Sequence, residues 1–275
     1  MRRVAVLRRL AVALLALGAA LLAPAALASP CQSYVEGVPG IRYAALGPVT
    51  RLAAAEPEVT IRYVGHSTFR IETPAGASVA TDYFGSDGPG GPPLAVTMNH
   101  AHTTHYTDYP SPEIRHVLRG WNPEGGPAIH DLELRDMRIR NLPTDIRSWG
   151  ETGRDGNSIF VFEIGSLCIA HLGHLHHALT DNHYAVLGRM DVLMVPVDGS
   201  FTMEVAEMVA IAKRLRSSIV LPMHFFGRAS LERFLSAMSE EFAIDLSAPA
   251  VLRVAADRLP ARPTVIVMQP DYGRP

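Results

Sequence analysis

Residues 97–108 read "TMNHAHTTHYTD" and place His100, His102 and His105 within six positions. The run follows "LAVTMN" (94–99), a short apolar strand by composition. In a strand-end loop, side chains at i and i+2 share a side, so His100 and His102 can point together. A turn after them can bring His105 back. Burying several imidazoles needs a partner for every ring nitrogen, so packing alone does not account for the cluster. Neutral imidazole is the commonest nitrogen ligand for zinc, and catalytic sites offer three protein ligands with a position left for water. The stretch is read as part of a metal site.

Two further segments repeat the arrangement. "AHLGHLHHAL" carries His171, His174, His176 and His177 after another apolar strand, and "VLPMHFF" carries His224 after a third. Functional side chains in layered α/β folds gather where loops leave the strand ends. His116, His130 and His183 lie outside these positions and carry no signal.

Around the histidines the chain is rich in strands. "VTIRYVGHSTFRIET" (59–73) alternates apolar and polar residues either side of Gly65 and predicts a hairpin. "ASVATDYF" continues as a strand ending near Asp82, and "GSDGPGGPP" (85–93) is a loop by composition. Alternation returns over 128–144, and 157–174 predicts two strands turning at Gly165-Ser166. "DVLMVPV" (191–197) and "SIVLPM" (218–223) read as buried strands. The segment between them, 202–216, is helical, with Thr202 as its predicted N-cap. A second helix is expected over 230–242 and a closing strand over 263–270. Strands first, then strands mixed with helices, favour sheets flanked by helices over one doubly wound sheet.

Composition narrows the function. The chain has 275 residues, a formal net charge of −2 and no basic run beyond its N-terminal segment, which argues against nucleic acid as partner. There is no G-x-S-x-G elbow, no P-loop and no dinucleotide fingerprint. The first 28 residues differ from the rest. Arg2, Arg3, Arg8 and Arg9 precede an uncharged apolar run that ends at Ala26-Leu27-Ala28. This predicts a secretory signal peptide (1–28) rather than a retained anchor helix, and a periplasmic or secreted protein. Sec and twin-arginine export both fit. No later segment is apolar enough to span a membrane. Residues 29–57 read as an N-terminal tail. Cys31 in that tail and Cys168 in the run "SLCIAH" read as a tail thiol and a buried thiol rather than a pair.

Taken in order, "GHSTFRIET", a strand ending in "TD", "NHAHTTH", "GNSIFVFEIGSLCIAHLGH", "DVLMVPVDGSFT" and "LPMHFF" resemble the metallo-β-lactamase superfamily. The pattern is most similar to the branch of ascorbate-phosphate lactonase-like proteins and N-acyl-phosphatidylethanolamine phospholipase D. The resemblance runs from about Val59 to Phe226. It implies a four-layer αββα sandwich over residues 58–275, with metal at one edge of the two sheets. In the family's H-x-H-x-D-H motif, His100, His102 and His105 match the histidines, and His224 matches a late ligand.

Two positions depart from the family. Thr104 stands at its aspartate, and His174 at its bridging Asp. The mid-chain histidine has no counterpart, and Asp145 is the nearest ligand-type residue. The resemblance therefore implies metal ligands among His100, His102, His105, His174, His224 and Asp145. His66, Asp82, Thr104, His171, His176 and His177 stand behind them, and Asp108 is a candidate for proton handling, as are the surplus histidines His176 and His177. The nitrogen-rich set favours zinc over manganese, with one ion firmly held and a second, weaker one left open. The expected function is an exported metal-dependent hydrolase of an ester, lactone, amide or phosphodiester bond in a small-molecule substrate. The alternative is a binding protein that keeps the fold with a degenerate site.

Overall fold

The computed structural model describes residues 29–32, 55–148 and 151–272. The predicted signal peptide and most of the predicted tail lie outside the described residues.

Apolar alternation becomes two sheets. The first holds β1 (Val59–Gly65), β2 (Thr68–Glu72), β3 (Ser78–Ala80), β4 (Ala95–Met98) and β5 (His116–Arg119), with β13 (Val251–Val254) on its edge, in the order β13-β1-β2-β3-β4-β5. The second holds β6 (Asp131–Leu134), β7 (Met137–Ser148), β8 (Glu151–Ile164) and β9 (Leu167–His171) as antiparallel neighbours. It continues in parallel through β10 (Val192–Pro196), β11 (Ile219–Met223), β14 (Thr264–Ile266) and β12 (Ala243–Asp245).

The central strands of the second sheet divide their side chains between two cores, as a period of two requires. Ile139, Phe160, Phe162, Ile169 and Met194 face the first sheet and meet Ile61, Phe69, Ile71 and Val79. Val161, Ala170, Leu193 and Val195 face the other way, under the helices α1 (Asp181–Leu187), α2 (Val205–Leu215) and α3 (Arg228–Met238). The outer face of the first sheet carries a smaller cluster, with Val96, Met98 and Tyr83 covered by Ile114, Tyr106 and Trp121. Among the described residues that cover is loop rather than helix. The mixed α/β architecture of two stacked sheets is as expected.

Two local expectations change. Helix α2 begins after Glu204 and has no side-chain cap, because the Thr202 hydroxyl is committed to Asp198. Cys31 and Cys168 are not separate thiols but a disulfide, with Cα atoms 5.7 Å apart. The residues beside Cys31 dock on the domain and pull it within reach. The Ser29 hydroxyl donates to Glu163 over 2.7 Å, and the Arg189 N–H donates to the Cys31 carbonyl over 2.7 Å. Gly188 lies beneath, at φ +73°, where a Cβ would meet that carbonyl at 2.1 Å.

Candidate metal centre

The histidines gather where both sheets end. In a parallel array all carbonyl ends lie on one edge, so β9, β10 and β11 deliver His174, Asp198 and His224 to the same region. From the first sheet, the β1–β2 turn supplies His66, the end of β3 supplies Asp82 and the loop after β4 supplies His102 and His105. The His224 N–H donates to the His66 carbonyl over 2.9 Å. Asn99 also bridges the sheets, donating to Asp82 over 2.9 Å and accepting the Ser158 N–H over 2.7 Å.

One ligand atom from each of His66, His102, His105 and His224 lies within 4.8 Å of all the others. Nitrogens around a tetrahedral zinc stand about 3.4 Å apart, so an ion would draw the rings slightly inward. Three of the four imidazoles are held by their far nitrogen. His105 Nδ1 lies 2.5 Å from Asp82, His224 Nδ1 lies 3.0 Å from Asp198, and His102 Nδ1 lies 2.8 Å from the Thr104 hydroxyl. With Nδ1–H donating to these oxygens, Nε2 is left as a lone-pair donor facing the group, which is how metal-binding histidines are oriented. The Nε2 atoms of His66, His105 and His224 are buried without a hydrogen-bond partner. Buried polar atoms are seldom left so, and a shared cation would satisfy all of them. The donor set fits a metal ion.

Electrostatics keep the imidazoles ready. Burial, reinforced by His224 and His102, lowers the His66 pKa to about 4. Burial holds His105 well below the usual imidazole range. His102 is lowered by the same cause. These rings are neutral at neutral pH, the form that binds metal. Burial also pushes the Asp82 carboxyl up to about 6. Burial acts on Asp198 in the same sense, but hydrogen bonds from His224, Thr202 and Ser200 outweigh it and hold the carboxyl below the usual range. His66, Asp82 and His224 have φ of 53°, 41° and 52°. Each such non-glycine conformation costs about 1–3 kcal/mol and is found chiefly at functional sites.

The structure brings some predicted residues together and leaves others apart. His102, His105 and His224 converge, and His66 stands with them at ligand distance rather than behind them. His100 does not join. It is exposed and stacks on Trp121, with ring centroids 5.0 Å apart. Asp145 accepts the Asp155 N–H over 3.1 Å, and it is not among the residues that converge at the histidine group. Asp108 is exposed on the loop after the cluster, without a hydrogen bond to it. His174 packs against the group, with ring centroids 4.7 Å from His105 and 4.9 Å from His224. Both its ring nitrogens are buried and unpartnered.

The remaining histidines lie further back. His171 ties the sheets together, with Nε2 2.8 Å from the Ser67 carbonyl and Nδ1 accepting the Gly173 N–H. His176 Nδ1 accepts the Arg147 N–H, and His177 lies beyond it at a ring distance of 6.3 Å. Sequence reading passed over Asp198. It stands just beyond an apolar strand, the position that had singled out the histidines, and that rule applied to carboxylates would have found it.

A two-sheet α/β frame with a histidine group at the strand ends defines a metallohydrolase-type fold. The chain belongs to the β-lactamase superfamily, whose domain model matches residues 60–224. It is 32% identical over 112 residues to UPF0173 protein PF0020 of Pyrococcus furiosus. That match spans 38% of this chain and 47% of the relative, so the chain aligns with about half of that protein. In fold it is similar to a Thermotoga maritima protein assigned to the metallo-β-lactamase superfamily, with TM-score 0.57, 24% identity and coverage of 76% of this chain and 98% of the other. It is also similar to a Parabacteroides distasonis protein assigned as a metal-dependent hydrolase, with TM-score 0.53, 15% identity and coverage of 67% and 90%.

Proposed function

We propose that the protein is an exported metal-dependent hydrolase built on one ion, held by His66, His102, His105 and His224. The observation that carries this reading is the convergence of four imidazoles, three of them with a buried and unpartnered Nε2. Zinc suits an all-nitrogen set of this kind. When bound, the ion would supply a polarising charge and an activated water for attack on an ester, lactone, amide or phosphodiester.

The protein's own residues do the rest. Asp82, Asp198 and Thr104 hold Nδ1 of three ligands and so fix the rings. His174, neutral and with both ring nitrogens open, can accept a hydrogen bond from the attacking water and donate one to the substrate. Only His66 has no carboxylate or hydroxyl behind it, which makes it the ligand most easily displaced to open a coordination position. Export is supported by the buried Cys31–Cys168 disulfide, since disulfides persist in oxidising compartments. Among the described residues no helix is long and apolar enough to cross a membrane.

A second reading has its own support. Four protein ligands fill a tetrahedral shell, as in structural zinc sites, and a closed site would bind metal without turning substrate over. One experiment separates the two. Metal content and hydrolysis of 4-nitrophenyl acetate and bis(4-nitrophenyl) phosphate are measured for the zinc-loaded protein and for His224→Ala and His100→Ala. We expect about one zinc per chain, lost in His224→Ala and retained in His100→Ala, with hydrolysis following the metal. Zinc bound at full occupancy with no turnover of either compound would establish the closed site. Loss of zinc in His100→Ala would overturn the ligand set.

A further inference from the structure

We propose that the cleft above the histidines takes a substrate with an extended alkyl acyl chain beside the bond to be hydrolysed. This rests on the hydrolase reading above and adds to it the class of substrate.

The cleft has a volume of about 1310 Å³, and His102 and His174 lie among the residues that line it. Phe201 and Phe226 also line it, and they are 60% and 63% exposed. Large exposed aromatics gathered at a concave site mark ligand contact rather than chance exposure. Both are placed by the elements that build the metal group. Phe226 follows His224 by two residues, and its ring lies 5.2 Å from His224 and 5.5 Å from His66. Phe201 is held by Asp198, which accepts its N–H over 2.5 Å while also orienting His224. Apolar surface therefore begins next to the converging imidazoles.

The shape of that surface favours a chain over a flat ring. Phe201 and Phe226 meet edge to face, 5.6 Å apart at 74°, so they form a corner and not a parallel slot. Across the cleft, one face of Trp121 is already covered by His100 at an interplanar angle of 28°. Among the described aromatic rings that line the cleft, the one near-parallel pair, His100 and Trp121, is thus already stacked on itself. Three charged side chains, Arg147, Arg154 and Asp155, also line the cleft. Arg147 donates to the Ser200 and Thr202 carbonyls and so braces the loop, and Arg154 is exposed. In the reaction, the oxygen of water bonds to the acyl carbon and the acyl–oxygen bond breaks. The acid stays with the chain, and the alcohol leaves carrying a proton.

The test uses the zinc-loaded full chain with 4-nitrophenyl acetate, hexanoate, decanoate and benzoate below their aggregation limits. We expect kcat/KM to rise at least about tenfold from acetate to decanoate, from partial burial of the added methylenes, and decanoate to exceed benzoate. Phe201→Ala should reduce the decanoate-to-acetate ratio severalfold. A flat or falling series, a preference for benzoate, or an unchanged ratio in Phe201→Ala would overturn the proposal. If no ester is hydrolysed, the hydrolase reading fails on esters, and binding of hydroxamates to the zinc-loaded protein decides the cleft separately. Decanohydroxamate binding at least about tenfold more tightly than acetohydroxamate supports the apolar cleft, and equal affinity overturns it.

Discussion

The backbone N–H of His224 donates to the carbonyl of His66 over 2.9 Å, and both residues stand at positive φ. One belongs to the turn between β1 and β2, the other to the end of β11. The bond joins the two sheets at the point where the imidazoles converge, and their rings lie 4.3 Å apart. The metal group is thus built across the sheet–sheet junction. Its geometry depends on how the layers stack as much as on any loop.

Asp198 is the group whose removal should weaken metal binding without removing a ligand. It holds His224 Nδ1 and accepts from Ser200, Phe201 and Thr202. Asp198→Asn keeps the shape but loses the charge that fixes the tautomer. Zinc affinity is expected to fall about 10–100-fold. Competition with a chromophoric chelator reads this directly, and an unchanged affinity would show that Asp198 only shapes the loop.

The stability of the metal-free protein should decline in acid. His66 and His176 have pKa values lowered from 6.5 to about 4, by burial first. His105 and His174 are lowered in the same sense. Between pH 6.5 and 4 the unfolded chain therefore binds more protons than the folded one, so stability falls as pH falls through that window. Asp82, raised from 3.8 to about 6, opposes this, as do Asp87 and Asp191, raised in the same sense, but with His102 and His171 also lowered, six histidines outnumber these three carboxylates. The urea midpoint is expected to be lower at pH 5 than at pH 7. A midpoint equal or higher at pH 5 would contradict the buried, neutral cluster.

Reducing the Cys31–Cys168 bond, or replacing it through Cys31→Ser, should cost about 2–5 kcal/mol. The bond closes a loop of 137 residues and pins Ser29 to Glu163. Thermal unfolding with and without reductant measures the effect. A melting temperature insensitive to reductant would mean that the docked segment adds nothing to the domain.

Gly173 should tolerate no side chain. It sits at φ +61° between His171 and His174, and a Cβ there would meet Asn99 at 2.4 Å and Asn157 at 2.5 Å. Gly173→Ala must displace the amides that set Asp82 and His174. We expect a loss of at least about 1 kcal/mol in stability together with weaker zinc binding, read by denaturant unfolding and metal content. Zinc affinity equal to that of the parent would show that Asn99 does not transmit to the site.

Much of this was legible along the chain. Alternation gave the strands, and apolar runs ending in histidine marked His102, His105 and His224. That the ring of His66, and not that of His100, lies among the converging imidazoles was not legible. Both lie in strand-end turns, and the direction of a ring there follows from backbone angles that neighbouring residues do not specify. His100 turns away to cover Trp121, while a positive φ swings His66 inward. Thr202 misled for a related reason. A threonine ahead of a helix is a good cap in isolation, but a nearby buried carboxylate competes for its hydroxyl.

Which segments are strands, and which strand ends carry imidazole, can be read along the chain alone. These follow from local periodicity and residue chemistry. Which four rings share a point, that Asp82 and Asp198 stand behind two of them, and that Cys31 meets Cys168 across 137 positions emerge on folding. Those outcomes depend on the stacking of two sheets, which brings together side chains that no local pattern connects.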